Sequence, residues 1–240
     1  MNRLTESVKH LIILNVIFYI ATYYLVDNGL MVEFFAMFST ESPNFKIWQL
    51  VTYMFMHGSF MHIAFNMFAL WMFGSVLENI WGKKKFLTFY FLTGVGSAIL
   101  YLLIKYFQIN AALTEYSQEQ INLILTQGAE IILNGRNYTD PQLGFLNELI
   151  NVPTLGASGA IAGLLMAFGI LFPNTELMLI FLPIPIKAKY FIPLLIIYEL
   201  SMEFASFSWD NVAHLGHLSG MAIGFIIMRY WKKRQFNRWN

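Results

Sequence analysis

A single serine lies between glycines at the head of an apolar stretch of helical length, "LGASGAIAGLLMAFGILF", which runs from Leu155 to Phe172. The hydroxyl of Ser158 has two interpretations at this position. It caps or packs a helix, because serine is preferred at helix N-termini, or it acts as a nucleophile. A serine hydroxyl becomes a useful nucleophile only beside a base that accepts its proton. The second interpretation therefore requires a base elsewhere in the chain.

Histidines and one asparagine occur in two further apolar stretches. His62 and Asn66 are four residues apart in "HGSFMHIAFNMF", so a helix places both on one face. His214 and His217 lie in "NVAHLGHLSGMAIG". A histidine, with an ordinary pKa of about 6.5, suits proton transfer at neutral pH. The side chains of His62 and Asn66, together with the backbone N–H of Ser158, could donate hydrogen bonds to the oxyanion of an acyl-transfer intermediate.

The same residues also have structural interpretations. His62 and Asn66 could form hydrogen bonds across helices. His57 could join His214 and His217 in a metal site, but three histidines without a nearby carboxylate are a weak case for zinc.

The composition indicates a membrane protein. The chain is 57% hydrophobic and 12% charged, whereas soluble domains average about 25% charged residues. The absence of cysteine excludes disulfides, thiolate nucleophiles and cysteine-based metal sites. No basic patch interleaved with aromatic residues indicates a nucleic-acid partner. The first apolar run lacks the layout of a cleaved signal peptide, so we expect it to be a membrane span.

Six stretches approach the roughly 20 apolar residues that a membrane-spanning helix needs. The predicted spans are 8–26, 59–78, 86–105, 156–173, 190–208 and 211–229. The fifth is the weakest, because it contains Glu199 and Glu203. Two long outer segments are predicted at about 27–58, with pieces apolar enough for the membrane interface, and at about 106–152. The second contains a partly helical pattern, "EQINLILTQGAEIIL". We predict one all-α domain over residues 1–240.

The distribution of lysine and arginine predicts the orientation, because cytoplasmic loops hold their excess. With the N-terminus inside, twelve of the fifteen basic residues fall inside, and only Lys46, Lys105 and Arg136 fall outside. Both termini are therefore predicted to be cytoplasmic, and the second, fourth and sixth spans all begin on the outer side. Their polar residues could meet at one depth.

Ionisable residues within spans are functional candidates by default, because burying a charge there is costly. The motif of a zinc protease, His-Glu-x-x-His, is absent. An aspartyl pair at membrane depth is also absent, since Asp27, Asp140 and Asp210 fall at span ends or in loops. Serine chemistry is what remains.

Three motifs together resemble the rhomboid intramembrane serine proteases: "GASGA" around Ser158, "HGSFMHIAFNM" around His62 and Asn66, and "AHLGHLSGMAIG" around His217. The stretch "GSVLENIWG" is similar to the Gly/Glu/Gly pattern that closes the family's second span. The resemblance covers nearly the whole chain, and the segment 106–152 is its least typical part.

The resemblance implies a rhomboid-type bundle of six transmembrane helices and a serine endopeptidase that cleaves transmembrane segments near their outer end. It implies Ser158 as nucleophile and His217 as general base and then acid, with no acidic third member. His62, Asn66 and the Ser158 backbone would form the oxyanion site. No cofactor is implied. The expected partners are single-span membrane proteins within the lipid bilayer.

His217 is favoured over His214 because Leu-Ser-Gly and the Gly220-x-x-x-Gly224 step follow it. The resemblance gives His57 a structural, hydrogen-bonding role in the first outer segment. It also makes the fifth span a candidate lateral gate, whose two glutamates could help it move or solvate.

Two positions depart from the family pattern. Gln49 follows Trp48, where the family often has arginine, and this change affects how the first outer segment is anchored. Ala162 stands where the family often has a tyrosine or phenylalanine stacked under the catalytic histidine. His217 would then need another support, such as His214 or a backbone group.

Two other hypotheses remain. The first is a catalytically silent rhomboid-like protein that binds membrane clients; such relatives lack the serine or the histidine, and this chain has both. The second is a small six-helix transporter, but the inverted repeats and broken helices typical of that class are not found. The compact length without an added targeting segment predicts a prokaryotic plasma membrane.

Overall fold

The computed structural model describes residues 3–179, 182–205 and 212–236. These residues form the helices α1 (Glu6–Ile20), α2 (Asn28–Phe35), α3 (Gln49–Thr52), α4 (Phe60–Ala69), α5 (Ser75–Trp81), α6 (Lys83–Leu113), α7 (Gln118–Leu123), α8 (Ala129–Leu133), α9 (Pro141–Asn151), α10 (Ser158–Leu171), α11 (Ala188–Ala205) and α12 (His214–Phe236). Three π-helical turns continue or join them: Ala21–Leu25 after α1, Leu70–Gly74 between α4 and α5, and Ile124–Gly128 between α7 and α8.

Three continuous helices in the described part of the chain are long and apolar enough to cross a membrane: Glu6–Leu25, Phe60–Trp81 and Lys83–Leu113. They expose apolar side chains, for example Ile17 at 55% and Ile99 at 54%, as helices facing lipid do. The helix α10 is apolar but has only 14 residues. The protein is thus a helical membrane protein, while the count of six spans and the side of its termini stay predictions.

The predicted span boundaries differ most from the helices at two places. The helix α6 extends to Leu113, well past the predicted end at 105. The helix α12 extends to Phe236, past the predicted end at 229. Helices continue into polar sequence because backbone hydrogen bonding does not require an apolar side chain. Residues 206–208 of the predicted fifth span and residue 211 of the sixth lie outside the described residues, as does Asp210.

The fold is mostly helical, as the sequence predicted, but the chain between the fourth and fifth predicted spans is extended. There β1 (Glu176–Leu179) and β2 (Leu182–Lys187) form a two-stranded antiparallel ribbon, with Glu176 opposite Lys187. In β2, prolines alternate with leucine and isoleucine. Proline excludes a helix, and in a strand it is tolerated where its missing N–H is not needed by a neighbour. Pro183 and Pro185 therefore lie in an extended edge strand.

The chain divides into two compact units, each built from discontinuous segments. The first unit comprises Met1–Ile12, Ala64–Ser97 and Ser158–Asn240, and the second comprises Ile13–Ile63 and Ala98–Ala157. The core of the first unit contains Phe73, Ala162, Leu165, Met166, Phe168, Ile192 and Met221. The core of the second contains Ile109, Ile124, Leu146 and Ile150.

In the first unit, Glu78 caps the start of the first helix. Its buried carboxylate accepts hydrogen bonds from the Thr5 hydroxyl and from the backbone N–H groups of Ser7, at 3.0 Å, and Val8, at 3.1 Å. The first N–H groups of a helix have no partner within it, and a negative charge is favourable at that end. Gly82 then turns the chain from α5 into α6 with a φ of +75°, a conformation in which glycine avoids the steric cost of a Cβ.

In the second unit, Gln49 anchors the first outer segment. Its side chain is fully buried, and its amide nitrogen donates to the carbonyl oxygens of Glu33 and Asn44, both at 3.0 Å. Its amide oxygen accepts from the backbone N–H groups of Lys46, at 3.0 Å, and Phe38, at 3.4 Å. One side chain thereby pairs four backbone groups, so the glutamine that departs from the family pattern is itself an anchor.

Replacing Gln49 by alanine is expected to destabilise the protein. Buried backbone groups that lose their partners cost roughly 1–3 kcal/mol each, less where water reaches them, so we expect a loss of about 2–4 kcal/mol. Unfolding of the detergent-solubilised protein measures it. The matched control is Gln118→Ala, because Gln118 is exposed and its side chain bonds Asn122 on the same helix; its effect should stay within about 0.5 kcal/mol. Equal unfolding midpoints for the two variants would contradict the role of Gln49.

The second outer segment is helical where its sequence pattern predicted it, from α7 through α8. Within the second unit, buried polar side chains join it to the first outer segment. The Asn151 amide nitrogen donates to Asn147 Oδ1 at 2.9 Å, and the Ser42 hydroxyl donates to Asn151 Oδ1 at 2.7 Å. The Ser39 hydroxyl donates to the carbonyl oxygen of Ile150 at 2.7 Å. The two predicted outer segments are therefore one packed structure.

Candidate functional site

Ser158 is the first residue of α10. The chain reaches it through Gly156, whose φ of +127° is accessible mainly to glycine. The side chain of Ser158 is half-buried. Because the first N–H groups of a helix lack partners within it, the backbone N–H of Ser158 is available to an external acceptor, and the helix dipole favours negative charge there.

Within the first unit, α10 and α12 pack backbone against backbone through glycines. A Cβ added at Gly220 would overlap the carbonyl oxygen of Gly159, and a Cβ added at Gly224 would lie 2.9 Å from the Cα of Gly163. Moving four residues along α12, from Gly220 to Gly224, also moves four residues along α10, from Gly159 to Gly163, so the two helices run parallel. This arrangement matches the small-residue interfaces that let membrane helices approach closely.

The parallel packing puts the heads of the two helices at the same end of the first unit. Ser158 directly precedes Gly159, and His217 lies one helical turn before Gly220. The first turn of α12 is also tied to α6, since the Ser97 hydroxyl donates to the carbonyl oxygen of Gly216 at 2.7 Å. The serine and the histidine of the sequence motifs are therefore held on two contacting helices at one level.

The helix α11 brings a carboxylate to the same end. Gly169, near the end of α10, packs against Ile192, near the start of α11, so α11 runs back toward the end that carries Ser158. Glu199 then contacts both histidines of α12. Its Oε1 lies 3.0 Å from His217 Nδ1, and its Oε2 lies 2.5 Å from His214 Nδ1.

Glu199, His214 and His217 differ in their exposure to solvent. Glu199 and His214 are buried, at 6% and 4% exposed, whereas 20% of the His217 side chain is accessible. Within the described residues, these three side chains also form a possible metal site, because their carboxylate oxygens and ring nitrogens lie within 4.8 Å of one another. His217 is thus the member of the cluster that an external group can reach.

Glu199 corrects two expectations from the sequence. The sequence suggested His214 or a backbone group as the support of His217, and the family resemblance implied no acidic partner; the structure supplies a carboxylate. The sequence argument against a zinc site assumed that no carboxylate lies near His214 and His217, and Glu199 shows that one does. The available signal was a glutamate within a predicted span, which is costly unless paired, but the sequence does not reveal its partners.

His62 and Asn66 lie on consecutive turns of α4, as the spacing predicted. Asn66 is buried in the first unit, and His62 is half-buried in the second unit, where its Nδ1 lies 3.4 Å from the backbone N–H of Gly58. The His57 ring is buried and lies edge-to-face against that of His62, with centroids 5.0 Å apart. Burial and the neighbouring His62 lower the pKa of His57 to about 3. His57 is therefore neutral at physiological pH, and its hydrogen-bonding role stays a prediction.

The apolar helices and the packed helix heads define a helical membrane protein, and comparison with known proteins assigns its family. The family model described as "Rhomboid domain" matches residues 44–234. That match covers most of the 240 residues, so the chain belongs to the rhomboid family.

Curated relatives agree with this assignment. Rhomboid protein 1, mitochondrial, of Saccharomyces cerevisiae is 25% identical over 179 residues, covering 75% of this chain and 40% of that protein. Presenilin-associated rhomboid-like protein, mitochondrial, of Bos taurus is 26% identical over 193 residues, covering 75% of this chain and 38% of that protein. Rhomboid-like protease 3 of Toxoplasma gondii is 31% identical over 70 residues, covering 29% of this chain and 27% of that protein.

These relatives bear on location and extent. This chain spans about 40% of the length of the first two relatives. Both are named as mitochondrial proteins, so the similarity does not support the prokaryotic plasma membrane that the sequence predicted. What is established is a membrane protein of the rhomboid family.

Proposed function

We propose that this protein is an intramembrane serine endopeptidase that uses Ser158 as nucleophile and His217 as general base. The observation that carries the proposal is the backbone contact of Gly220 with Gly159, which holds the helix of His217 against the helix of Ser158. Membership of the rhomboid family supports the same chemistry, as does the name of the Toxoplasma gondii relative, a rhomboid-like protease.

The proposed reaction is acyl transfer. His217 accepts the proton of the Ser158 hydroxyl while Oγ attacks the scissile carbonyl carbon, and the protonated imidazole then gives that proton to the leaving amine. Water, activated by the same histidine, releases the acyl group. Since Nδ1 of His217 contacts Glu199, Nε2 is the nitrogen left for the proton transfer.

The oxyanion of the tetrahedral intermediate requires hydrogen-bond donors placed in advance. The backbone N–H of Ser158 at the head of α10 is one candidate. The side chains of His62 and Asn66 are carried over from the family motif to these positions, and their part in the reaction is a proposal that rests on that motif.

The proposed substrates are single-span membrane proteins, cut near the outer end of their transmembrane segment. The exposed apolar surfaces of the long helices support a protein that meets its substrates within the bilayer.

Cleavage of a model single-span substrate by the detergent-purified protein tests this function. The parent protein should cleave the substrate, and His217→Ala should reduce the rate by about 10⁴-fold or more, as loss of the base does in serine hydrolases. His214→Ala is the matched control on the same helix turn, and it should only weaken cleavage.

The opposite ranking of the two histidine variants would assign the base to His214. No cleavage by the parent protein across a panel of single-span substrates would favour the catalytically silent, client-binding alternative.

A further inference from the structure

We propose that Glu199 is the positioning residue of His217, holding its ring and its tautomer for proton transfer. This proposal rests on the proposed proteolytic function and adds an acidic partner to its serine and histidine. It stands on the contact between Glu199 Oε1 and His217 Nδ1, at 3.0 Å, between two helices whose packing is set by other residues.

The direction of this hydrogen bond follows from the chemistry of the partners. An ionised carboxylate has acceptor oxygens and no donor, so the imidazole nitrogen facing it must carry the hydrogen. With the hydrogen on Nδ1, the Nε2 of neutral His217 has a free lone pair. That tautomer is able to take a proton from a serine hydroxyl. In a serine-hydrolase triad, a buried carboxylate holds the histidine in the same tautomer and orientation.

His214 completes the environment of the carboxylate. The second oxygen, Oε2, lies 2.5 Å from His214 Nδ1, so each oxygen of Glu199 faces one histidine. A buried carboxylate is costly unless its oxygens are hydrogen-bonded. His214 therefore hydrogen-bonds the carboxylate oxygen that His217 does not contact, and it restrains the orientation of the carboxylate. This is a supporting role and not a catalytic one.

The distances favour hydrogen bonding over metal binding at this cluster. Two ligand atoms at about 2.0–2.1 Å from a tetrahedral zinc lie about 3.3 Å from each other. The contact between Glu199 Oε2 and His214 Nδ1, at 2.5 Å, is shorter than that, and the contact between Glu199 Oε1 and His217 Nδ1, at 3.0 Å, is an ordinary N–H···O hydrogen-bond distance. Each carboxylate oxygen of Glu199 thus has an imidazole N–H as its hydrogen-bond donor.

The position on α10 one turn after the nucleophile offers no ring to support His217. Ala162 occupies it and is buried in the apolar core of the first unit beside Met221. The support of the imidazole comes instead from Glu199 on α11. This makes the glutamate in the fifth predicted span a part of the site rather than a gate element only.

The test measures kcat and KM for substrate cleavage by Glu199→Gln and Glu199→Asp. The amide of glutamine presents an NH₂ group to one of the two histidines and removes the negative charge. We expect kcat to fall by about 10²-fold or more, with KM within about threefold of the parent value. Glu199→Asp keeps an acceptor carboxylate and should restore a large part of the lost kcat.

Two controls accompany these variants. Glu130→Gln makes the same change at an exposed glutamate of α8, outside the cluster, and should leave both constants near the parent values. The parent protein is also assayed after EDTA treatment, which should leave its activity unchanged.

Three results would overturn the proposal. Equal kcat values for Glu199→Gln and Glu130→Gln would remove the positioning role and leave the assignment of Ser158 intact. A rise in KM at unchanged kcat would make Glu199 a residue of substrate binding. Loss of activity with EDTA and its return with Zn²⁺ would make the cluster a metal site. A failure of the proposed serine-protease function gives a different result, because Ser158→Ala would then cleave the substrate as well as the parent protein does.

Discussion

Replacement of Ser158 by alanine is expected to abolish covalent labelling of the detergent-purified protein by a fluorophosphonate probe. The probe phosphonylates a serine oxygen only where a base removes its proton, so labelling reports an activated hydroxyl and not serine content. The parent protein should label with one probe per chain, and Ser158→Ala should show background signal. Cleavage of a single-span substrate should fall by about 10⁴-fold or more in the same variant.

Ser219→Ala is the matched control for that experiment. Ser219 is buried on α12, two residues after His217, and its hydroxyl has no hydrogen-bond partner within the described residues. Removing an unpaired hydroxyl is close to neutral, so its labelling should equal that of the parent. Unchanged labelling of Ser158→Ala would reject this serine as the nucleophile. A parent protein that takes no probe would favour the silent client-binding alternative.

Gly220→Ala is expected to displace α12 from α10 and to impair both stability and activity. The added Cβ would overlap the carbonyl oxygen of Gly159 and lie 2.8 Å from its carbonyl carbon and 3.1 Å from its Cα. These are backbone atoms, which cannot rotate away as a flexible side chain can. Overpacking of this kind costs about 1–3 kcal/mol, and a shift of about 1 Å between reacting groups costs about 10²-fold in rate.

The control for the steric argument is Gly216→Ala, on the same helix and one turn earlier. A Cβ there would have Ala213 Cβ as its nearest neighbour, at 3.6 Å, an ordinary contact. Thermal unfolding and the rate of probe labelling should therefore stay near the parent values. If Gly220→Ala unfolds and labels like Gly216→Ala, the close approach of the two helices does not hold the site.

Local patterns in the sequence predicted much of what positions the site. The spacing of His62 and Asn66 put them on consecutive turns of α4, which the structure contains. The apolar run after Ser158 predicted the helix that begins there. These predictions succeed because helical periodicity and turn chemistry depend on residues close together in the chain.

Other features were not accessible to that reasoning. Gln49 read as a departure from a family motif, yet its four backbone partners make it an anchor. The residue types of Pro183 and Pro185 exclude a helix but do not specify what replaces it, and β2 accommodates both in a two-stranded ribbon. In both cases the partner groups, and not the residue type, decide the role.

The sequence by itself determined the class of this protein, a membrane protein of the rhomboid family, and the residues that its motifs single out, with Ser158 and His217 foremost. Those conclusions depend on composition and on short motifs. Only the tertiary structure decided that Glu199 meets His214 and His217, and that Gly220 sits on the backbone of Gly159. The physical reason is that a helical pattern specifies which residues share a face, whereas the helix that this face meets depends on close packing among segments far apart in the chain.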